Sequence, residues 1–562
     1  MLAAIAIKIE VVAVSRLCRR LLAVATIVTV AMLSIAMLPG TARAAGTGVI
    51  TVDGTVATRY DAYQLFSATV VDDDDAGQKI ATDVTWANDT VRQTVLSVLH
   101  DAGLDSTVST AQEAAEWMNA DGHMTTALTA KLARVICNTG AAPVALTAGT
   151  TAELPCGYWL IVADDDAIAQ GEAGTAPIMA LVGGSAVTVK PKAATPKVAK
   201  HVLEDSTAAW QKAADATVGD DLYWRLSAAL PAGLTAYDTY TVQFVDTMSA
   251  GLDPSKVAAS MRVYVAAGAD GGFDAVSTGK DGHAGTKPAQ GWTDITIQCA
   301  TEVAADGAFT VRTGDLIAAL GGTDAFAAGA RVVAVYDAPL SGGCNHGIAK
   351  GNPNEVYLRY PRSPFADQSG DAGFTRTPSD DACAYTWDLA LTKRGSDGDK
   401  PLAGAVLSIT DDRGRTLAAD GTWDAEGKAT VTTGEDGRVA VPGVDSGKLE
   451  VRELKAPKGY TAFEGTRCVT VKAEGLDVDQ VAAARPKVTV SAESPLRVDA
   501  ADAGKGSIEL SVLNTPSKEA SRGFMPSTGD RTLVLVTALA VIGVVAIVVA
   551  LVIKRGGGRH DK

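Results

Sequence analysis

Alternating apolar and polar residues dominate the chain between residues 46 and 517. The stretch GVITVDGTVATRYDAYQLFSATVV alternates with a period of two, which is typical of two or three β-strands. Later runs, such as DTYTVQFVDTM, EVYLRYPRSP and SIELSVLNTP, are equally short and are separated by Gly, Asp and Pro turns. We therefore expect a mainly β protein built from tandem Ig-like sandwich domains.

One segment departs from this period. Between residues 89 and 136, VRQTVLSVLHDAG, STAQEAAEWMNADG and TTALTAKLARVI have apolar residues at helical spacing, and the first two end in glycine-containing turns. Strand character returns in CGYWLIVADDD. The first domain should therefore be mainly β with a helical insertion.

The N-terminus has the layout of a secretory signal peptide. Arg16, Arg19 and Arg20 precede an apolar stretch at residues 21–38, and the small residues Ala42 and Ala44 follow it. This order of basic region, apolar region and A-x-A-like site favours cleavage over an uncleaved anchor. Export is therefore expected.

The C-terminus carries a second apolar run, at residues 533–553, which is long enough to span a bilayer as a transmembrane helix. Lys554, Arg555 and Arg559 follow it, so the tail should remain cytoplasmic. The chain between the two ends should lie outside the cell.

Chain length and net charge further restrict the domain organisation and the functional classes that the sequence allows. The chain has 562 residues and a net charge of −15, which argues against nucleic-acid binding. A Pro-, Ala- and Lys-rich linker and the strand pattern suggest a division into five parts. These are a signal peptide at 1–45, an N-terminal domain at 46–190, a middle domain at 191–380, a C-terminal domain at 381–517 and a sorting region at 518–562.

Motifs of enzymes and metal sites are missing from the sequence. It has no P-loop, no H-E-x-x-H and no G-x-S-x-G, so we expect no enzyme, no cofactor and no metal. The acidic run at residues 72–75 could hold calcium, but it lacks the alternating ligand spacing of a calcium loop and reads better as a solvated hairpin tip.

Cys18 would leave with the signal peptide, and six cysteines remain. Six cysteines allow fifteen connectivities, and an exported protein can form disulfides. With one pair in each expected domain, sequential pairing is favoured. The pairs would be Cys137 with Cys156, Cys299 with Cys344, and Cys383 with Cys468.

The segment FMPSTGD, with the apolar run and basic tail behind it, resembles the LPxTG cell-wall sorting signal of Gram-positive surface proteins. The resemblance implies that a membrane-bound sortase cleaves between threonine and glycine. A membrane-anchored protein with a chance turn is the alternative. The motif residues are Met525 (in place of the usual leucine), Pro526, Ser527, Thr528 and Gly529.

The stretch AVTVKPKAATPKVAK resembles the pilin motif of SpaA-type major pilins, which ends in V-x-V-Y-P-K. Val187, Val189, Pro191 and Lys192 match it, and Lys190 stands where tyrosine is usual. In that family the motif lysine accepts the threonine of the next subunit. The resemblance implies this role for Lys192, with Lys190 as a rival and two exposed linker lysines as the plain reading.

In the third domain, LEVRELKAPKGY resembles the E-box of the same pilins, Y-x-L-x-E-x-x-A-P-x-G-Y, and Glu453 is its acidic residue. The first strand, LALTKRG, offers Lys393, and the last strand, LSVLNTP, offers Asn514. Together they resemble the isopeptide triad of a Cna B-type domain. The alternative is a buried salt bridge between Lys393 and Glu453, with Asn514 as a turn residue.

Isopeptide formation explains these residue types. Burial lowers the pKa of a lysine and raises that of a carboxyl, so a neutral amine can attack an amide carbonyl polarised by a protonated acid. Ammonia leaves, and the new amide joins the first strand to the last. This is a single self-reaction rather than enzymatic turnover.

The middle domain resembles the Cna A-type fold of these pilins. Lys200 is the expected donor, with Lys197 as a rival, and Asp246 in FVDTMSAGL is the expected acid. GNPNEVYLRY supplies two asparagines, of which Asn354 is preferred to Asn352 because it directly precedes the last strand. The first domain has no convincing triad, and a disulfide is expected to staple it.

Taken together, the resemblances imply the backbone subunit of a pilus polymerised by a sortase through Thr528 and Lys192. The implied partners are other copies of the chain, a pilus-specific sortase, cell-wall peptidoglycan and, less directly, tip or minor pilins and a host surface. The implied location is the cell surface, covalently attached to a Gram-positive wall. A wall-anchored adhesin or a minor pilin remains the alternative.

Overall fold

The computed structural model describes residues 46–517, except for residues 74–77, 192–194, 233, 269–271, 274, 275, 279–283, 367 and 485. The predicted signal peptide, the sorting motif and the predicted transmembrane run lie outside the described residues. The described part is mainly β, as the alternating pattern predicted, and its strands form several sheets in succession along the chain.

The first part of the chain contains two sheets and the predicted helical insertion. One sheet has the order β3-β2-β6-β7, with β4 also paired to β2, and the other has the order β5-β1-β8. The strands are β1 Thr47–Val52, β2 Arg59–Asp73, β3 Gln78–Trp86, β4 Val144–Thr147, β5 Thr151–Pro155, β6 Gly157–Ala163, β7 Ile178–Val182 and β8 Val187–Val189. The helices are α1 Asp89–Asp101, α2 Ala111–Asn119 and α3 Thr126–Cys137.

Strand β6 is apolar along its whole length because both of its faces are covered. Every residue of GYWLIVA in β6 is buried. Side chains alternate across a strand, and here Leu160 packs in the core that the helices cover, whereas Trp159 and Ile161 pack in the core under the smaller sheet. The three predicted helices are confirmed, and each begins at a side-chain cap: Asn88, Thr110 or Thr125.

The middle part is a sandwich of two large sheets. Their orders are β10-β9-β12-β20-β14-β17 and β11-β23-β21-β13-β19-β18, with β22 paired to β21. The strands are β9 Lys197–Glu204, β10 Ala209–Gln211, β11 Ala213–Asp215, β12 Tyr223–Leu230, β13 Gln243–Met248, β14 Arg262–Ala267, β15 Val276–Thr278, β16 Ala284–Pro288, β17 Thr293–Asp294, β18 Ala300–Val303, β19 Phe309–Arg312, β20 Ala330–Asp337, β21 Asn352–Pro361, β22 Phe374–Arg376 and β23 Asp380–Tyr385. Short helices α4 Val257–Ser260, α5 Leu316–Ala319 and α6 Thr323–Phe326 lie in its connections.

Both sheets of the middle part contribute to one hydrophobic core. Trp224 and Leu226 from β12 pack in the same cluster as Phe244 from β13 and Leu358 from β21. Within the described part of the chain, β15 and β16 pair only with each other. The expected boundary at residue 381 falls inside β23, which pairs with β21 and β11 and so extends the middle sheet to Tyr385.

The third part is a smaller sandwich. Its sheets are ordered β29-β24-β35-β31, with β34 paired to β35, and β27-β26-β25-β30-β32-β33, with β28 paired to β25. The strands are β24 Trp387–Gly395, β25 Val406–Thr410, β26 Thr416–Leu417, β27 Trp423–Asp424, β28 Val431–Thr432, β29 Arg438–Val444, β30 Gly447–Lys455, β31 Tyr460–Thr461, β32 Thr466–Glu474, β33 Lys487–Ala492, β34 Leu496–Asp502 and β35 Ser507–Pro516.

The first and last strands of this third part are neighbours. β24 and β35 run parallel, from Asp388 beside Ser507 to Gly395 beside Asn514. Their inward side chains, including Leu391 and Leu510, share one core with the facing sheet. No helix among the described residues is long and apolar enough to cross a membrane.

Candidate self-reacting sites

The third part brings Lys393, Glu453 and Asn514 together in its core. Lys393 lies on β24 and Asn514 on the parallel strand β35, two residues beyond the residue that pairs with Lys393. Glu453 lies on β30 of the facing sheet. Lys393 is completely buried, and Asn514 and Glu453 are nearly so. The sandwich therefore presents all three groups to one point between its sheets.

One carboxyl group bridges the other two side chains. Lys393 Nζ lies 2.9 Å from Glu453 Oε2, and Asn514 Nδ2 donates a hydrogen bond of 2.8 Å to Glu453 Oε1. The backbone N–H of Phe463 donates to Glu453 Oε2 at 3.0 Å, and the Phe463 ring lies 4.8 Å from Lys393 Nζ. Asn514 Oδ1 is buried without a hydrogen-bond partner among the described residues.

Burial makes the ammonium of Lys393 more acidic than that of an exposed lysine. Burial lowers the pKa of Lys393 from its ordinary value, and the Glu453 carboxylate only partly opposes this. A lysine that gives up its proton to a nearby carboxylate becomes a nucleophile beside an amide. The site therefore holds an amine, an acid and an unshielded amide carbonyl within one dry pocket.

The middle part brings Lys200, Asp246 and Asn354 together in a different way. Lys200 lies on β9 in one sheet, whereas Asp246 on β13 and Asn354 on β21 lie in the facing sheet. Asp246 pairs with Val356 on the neighbouring strand β21, and Asn354 lies two residues before Val356 on that strand. All three side chains are completely buried. Lys200 Nζ forms a short ion pair with Asp246 Oδ2.

A fourth side chain, Tyr336 on β20, completes this site and was missed by the sequence analysis. Its hydroxyl accepts a 2.9 Å hydrogen bond from Lys200 Nζ and another of 2.9 Å from Asn354 Nδ2. It donates to Asp246 Oδ2 at 3.2 Å. The sequence signal was a tyrosine in the apolar run ARVVAVYD, because a buried tyrosine hydroxyl usually has a polar partner.

Burial shifts the pKa of both ionisable members of the middle site. It lowers the pKa of Lys200 to about 8, although Asp246 opposes the shift. It raises the pKa of Asp246 to about 6, against the opposing effect of Lys200 and of the hydrogen bonds. Because burial lowers one pKa and raises the other, it reduces the free-energy cost of passing a proton from the ammonium to the carboxylate.

The two rival residues of the middle site lie elsewhere. Asn352 is buried, but its Oδ1 accepts from the backbone N–H of Asn345 at 2.8 Å, and its Nδ2 donates to the carbonyls of Asn345 and Ala384. Lys197 is exposed on β9. The structure therefore brings Asn354 and Lys200 to the site, and gives Asn352 a place in the hydrogen bonds of a turn.

The residues expected to join subunits are described only in part. Lys192 and the segment from Met525 to Gly529 lie outside the described residues. Lys190 is exposed just after β8 and lies 3.6 Å from Asp53 through its ammonium group. Asp72, in the acidic run, lies on β2 opposite Lys79 of β3 and accepts a hydrogen bond of 2.7 Å from the backbone N–H of Ser185.

The predicted disulfides are not formed in the structure. All six described cysteines are free thiols. Cys299 Sγ donates to the carbonyl of Ile295 at 3.3 Å, Cys344 Sγ lies 3.9 Å from His346 Nε2, and Cys383 Sγ donates to the carbonyl of Ala384 at 3.7 Å. Cys383 lies on β23 of the middle sheet, and its side chain packs in the core of the third part, where Cys468 lies on β32.

A family model and a curated protein each match a part of this chain. Residues 388–484 match the family described as the SpaA prealbumin-like fold domain. The trypsin-resistant surface T6 protein of Streptococcus pyogenes serotype M6 is 30% identical over 129 residues, which is 22% of this chain and 22% of that protein. The chain thus matches about a fifth of the length of that relative.

Solved structures similar to this chain include a backbone pilin and a major pilin. The T6 backbone pilin of serotype M6 Streptococcus pyogenes has a TM-score of 0.45 at 17% identity, covering 86% of this chain and 100% of that one. The major pilin SpaD of Corynebacterium diphtheriae has a TM-score of 0.41 at 15% identity, covering 84% and 98%. Residues 388–484 thus match the SpaA prealbumin-like fold domain, and part of the chain is similar to a surface protein of Streptococcus pyogenes.

Proposed function

We propose that the chain is the backbone subunit of a covalently polymerised cell-surface pilus. The observation that carries this proposal is the presence of two buried lysine–acid–asparagine sites, Lys393 with Glu453 and Asn514 and Lys200 with Asp246 and Asn354. Isolated buried charges are costly, and a structural salt bridge does not require an amide beside it. A self-formed cross-link uses all three groups.

The cross-link reaction balances with the groups present. The lysine ammonium passes one proton to the carboxylate, and its nitrogen attacks the side-chain amide carbon of the asparagine. The C–N bond to Nδ2 breaks, and the leaving nitrogen departs as ammonia after taking a proton that the amine has lost. One amide and one ammonia form for each site, with the acid as proton carrier.

Such bonds suit a fibre under tension. In the third domain the bond would join β24 to β35, the first and last strands, which lie side by side. Pulling on both ends loads this strand pair in shear, and an amide would bear the force in place of hydrogen bonds. Closing a loop of more than about a hundred residues would add roughly 4–5 kcal/mol to the free energy of unfolding, by analogy with disulfides.

Polymerisation itself is assigned to the segments that flank these domains. A sortase would cleave between Thr528 and Gly529 and transfer the threonine carbonyl to Lys192 of another copy, or to cell-wall peptide at the end of assembly. The chain is then a structural protein whose only chemistry is directed at itself. A wall-anchored adhesin or minor pilin would keep the sorting signal without needing an acceptor lysine.

Cell-wall extracts test this assignment directly. In a Gram-positive host that supplies a pilus sortase, we expect a detergent-resistant ladder of multimers that collapses to monomer in Lys192→Ala. Lys197→Ala, which removes a nearby exposed lysine, is the matched control and should leave the ladder unchanged. A ladder that persists in a Lys190→Ala/Lys192→Ala double variant would contradict the lysine assignment, and a wild type that stays monomeric would favour the adhesin.

A further inference from the structure

The two sites differ in how the acid reaches the asparagine. In the third domain Asn514 Nδ2 donates directly to Glu453 Oε1 at 2.8 Å. In the middle domain Asn354 Nδ2 donates instead to the Tyr336 hydroxyl at 2.9 Å, and that hydroxyl donates to Asp246 at 3.2 Å. Aspartate is one methylene shorter than glutamate, and the phenol occupies the position between acid and amide.

The Tyr336 hydroxyl is fully engaged with the reacting groups. It accepts from Lys200 and from Asn354 and donates its only proton to Asp246, so both lone pairs and the proton are used. The side chain is completely buried, and the Phe309 ring packs edge-on against it with centroids 4.8 Å apart. The hydroxyl is therefore held in one place between three partners.

The contacts also fix the orientation of the asparagine. With Nδ2 turned to Tyr336, Asn354 Oδ1 is buried without a hydrogen-bond partner among the described residues, and Asp246 Oδ1 is in the same state. The leaving nitrogen thus faces the phenol and not the carboxylate. A direct proton transfer from Asp246 to this nitrogen has no hydrogen bond to follow.

We propose that Tyr336 is a catalytic residue of the middle-domain reaction and relays a proton from Asp246 to the leaving nitrogen of Asn354. This inference rests on the proposed cross-link. Lys200 first gives a proton to Asp246, and its nitrogen bonds to the Asn354 side-chain carbon. As the bond to Nδ2 breaks, the Tyr336 hydroxyl gives its proton to that nitrogen and takes one from Asp246. Ammonia leaves, Asp246, which is again a carboxylate, takes a second proton from the Lys200 nitrogen, and the third proton stays on the nitrogen of the new amide.

The test follows bond formation in Tyr336→Phe. Full-length chain is pulse-labelled in the expressing cells, sampled at successive times and digested, and the branched peptide joining Lys200 to Asn354 is quantified by mass spectrometry. We expect its formation to slow by about 10²–10⁴-fold, the usual contribution of a positioned acid or base. The branched peptide of Lys393 and Asn514 should form at the wild-type rate in the same sample.

Two further variants separate a relay from a packing role. Tyr264→Phe removes another buried hydroxyl, from β14 in the same sheet, and should leave the rate unchanged. Asp246→Glu in the Tyr336→Phe background lengthens the acid and recreates the direct contact of the third domain, so it should restore bond formation.

Three results would overturn the relay. These are a wild-type rate in Tyr336→Phe, an equal slowing in Tyr264→Phe, and a folded double variant that stays unlinked. A wild-type chain that never forms the Lys200–Asn354 peptide would overturn the proposed cross-link itself. That failure is visible without any substitution, so it is distinguishable from failure of the relay alone.

Discussion

The middle and third domains assemble the same three reactive groups, a lysine, an acid and an asparagine, from differently arranged strands. In the third domain the lysine and asparagine lie on adjacent parallel strands, β24 and β35, and a glutamate comes from the facing sheet. In the middle domain the lysine comes from one sheet, and the acid and asparagine come from the other. The third-domain amide would therefore form within a sheet, and the middle one across the sandwich.

This difference shows which features the chemistry requires. Both sites are buried, and each lies within a hydrophobic core that surrounds an amine, an acid and an amide. The length of the acid is not fixed, because Asp246 has a hydroxyl between itself and the amide, whereas Glu453 has none. Burial and mutual contact are common to the sites, and the relay is particular to one.

Removing either acid should produce the largest effect and should separate the two sites. Glu453→Gln should abolish the Lys393–Asn514 peptide and leave the Lys200–Asn354 peptide intact, because the proton carrier of only one site is lost. Asp246→Asn should do the reverse. Each loss corresponds to a rate reduction of at least about 10²–10⁴-fold. Peptide mapping of the full chain provides the readout, and each variant serves as the control for the other.

Loss of both peptides in one of these single variants would contradict the independence of the sites. Retention of the peptide of the substituted site would contradict the role of its acid.

Substitution of the two asparagines of the middle domain should have different effects on the cross-link and on the free energy of unfolding. Asn354→Ala should prevent the cross-link and lower the free energy of unfolding by roughly 4–5 kcal/mol. Asn352→Ala should keep the cross-link and cost about 1–3 kcal/mol, because it leaves backbone groups of Asn345 and Ala384 unpaired. Chemical denaturation together with peptide mapping distinguishes them. An unlinked Asn352→Ala with a linked Asn354→Ala would reverse the assignment.

A smaller effect should appear in the pH dependence of the middle site. The reactive form has one proton shared between Lys200 and Asp246, whose pKa values lie at about 8 and about 6. Below the lower value both groups are protonated and the amine is blocked. Above the upper value the acid is lost. The rate of bond formation should therefore be bell-shaped, falling by about tenfold per pH unit on each side.

Chain that has never folded, recovered unlinked from inclusion bodies in denaturant, is refolded between about pH 5 and about pH 9, and the rate of appearance of the Lys200–Asn354 peptide measures this profile. The pH profile of Asp246→Glu in the Tyr336→Phe background is the comparison, and it should also be bell-shaped because this variant keeps an acid beside the same lysine. A rate that rises steadily to high pH would contradict the need for a protonated Asp246.

The three residues that the sequence analysis named for the third site meet in the structure, and for the middle site it named three of the four that meet. Lys393, Glu453 and Asn514 lie in motifs on the first strand, the E-box and the last strand, and the structure brings them together. Asn354 was preferred to Asn352 because it was expected to precede a strand, but both lie within β21 and, two residues apart, share one face of it. Only the turn that engages Asn352 distinguishes them.

Tyr336 and the cysteines were beyond the reach of pattern for physical reasons. Tyr336 contacts groups on three other strands, β9, β13 and β21, and no local spacing encodes such a meeting. The disulfide prediction rested on one cysteine pair in each expected domain. Cys383 instead lies on β23 of the middle sheet, whereas Cys468 lies on β32 of the third domain.

Peptide mapping of the full-length wild-type chain tests the central claim most directly. The account predicts two branched peptides, one joining Lys200 to Asn354 and one joining Lys393 to Asn514, each lighter by one ammonia than the sum of its linear parts. Linear peptides carrying unmodified Lys200 and Lys393 would contradict it.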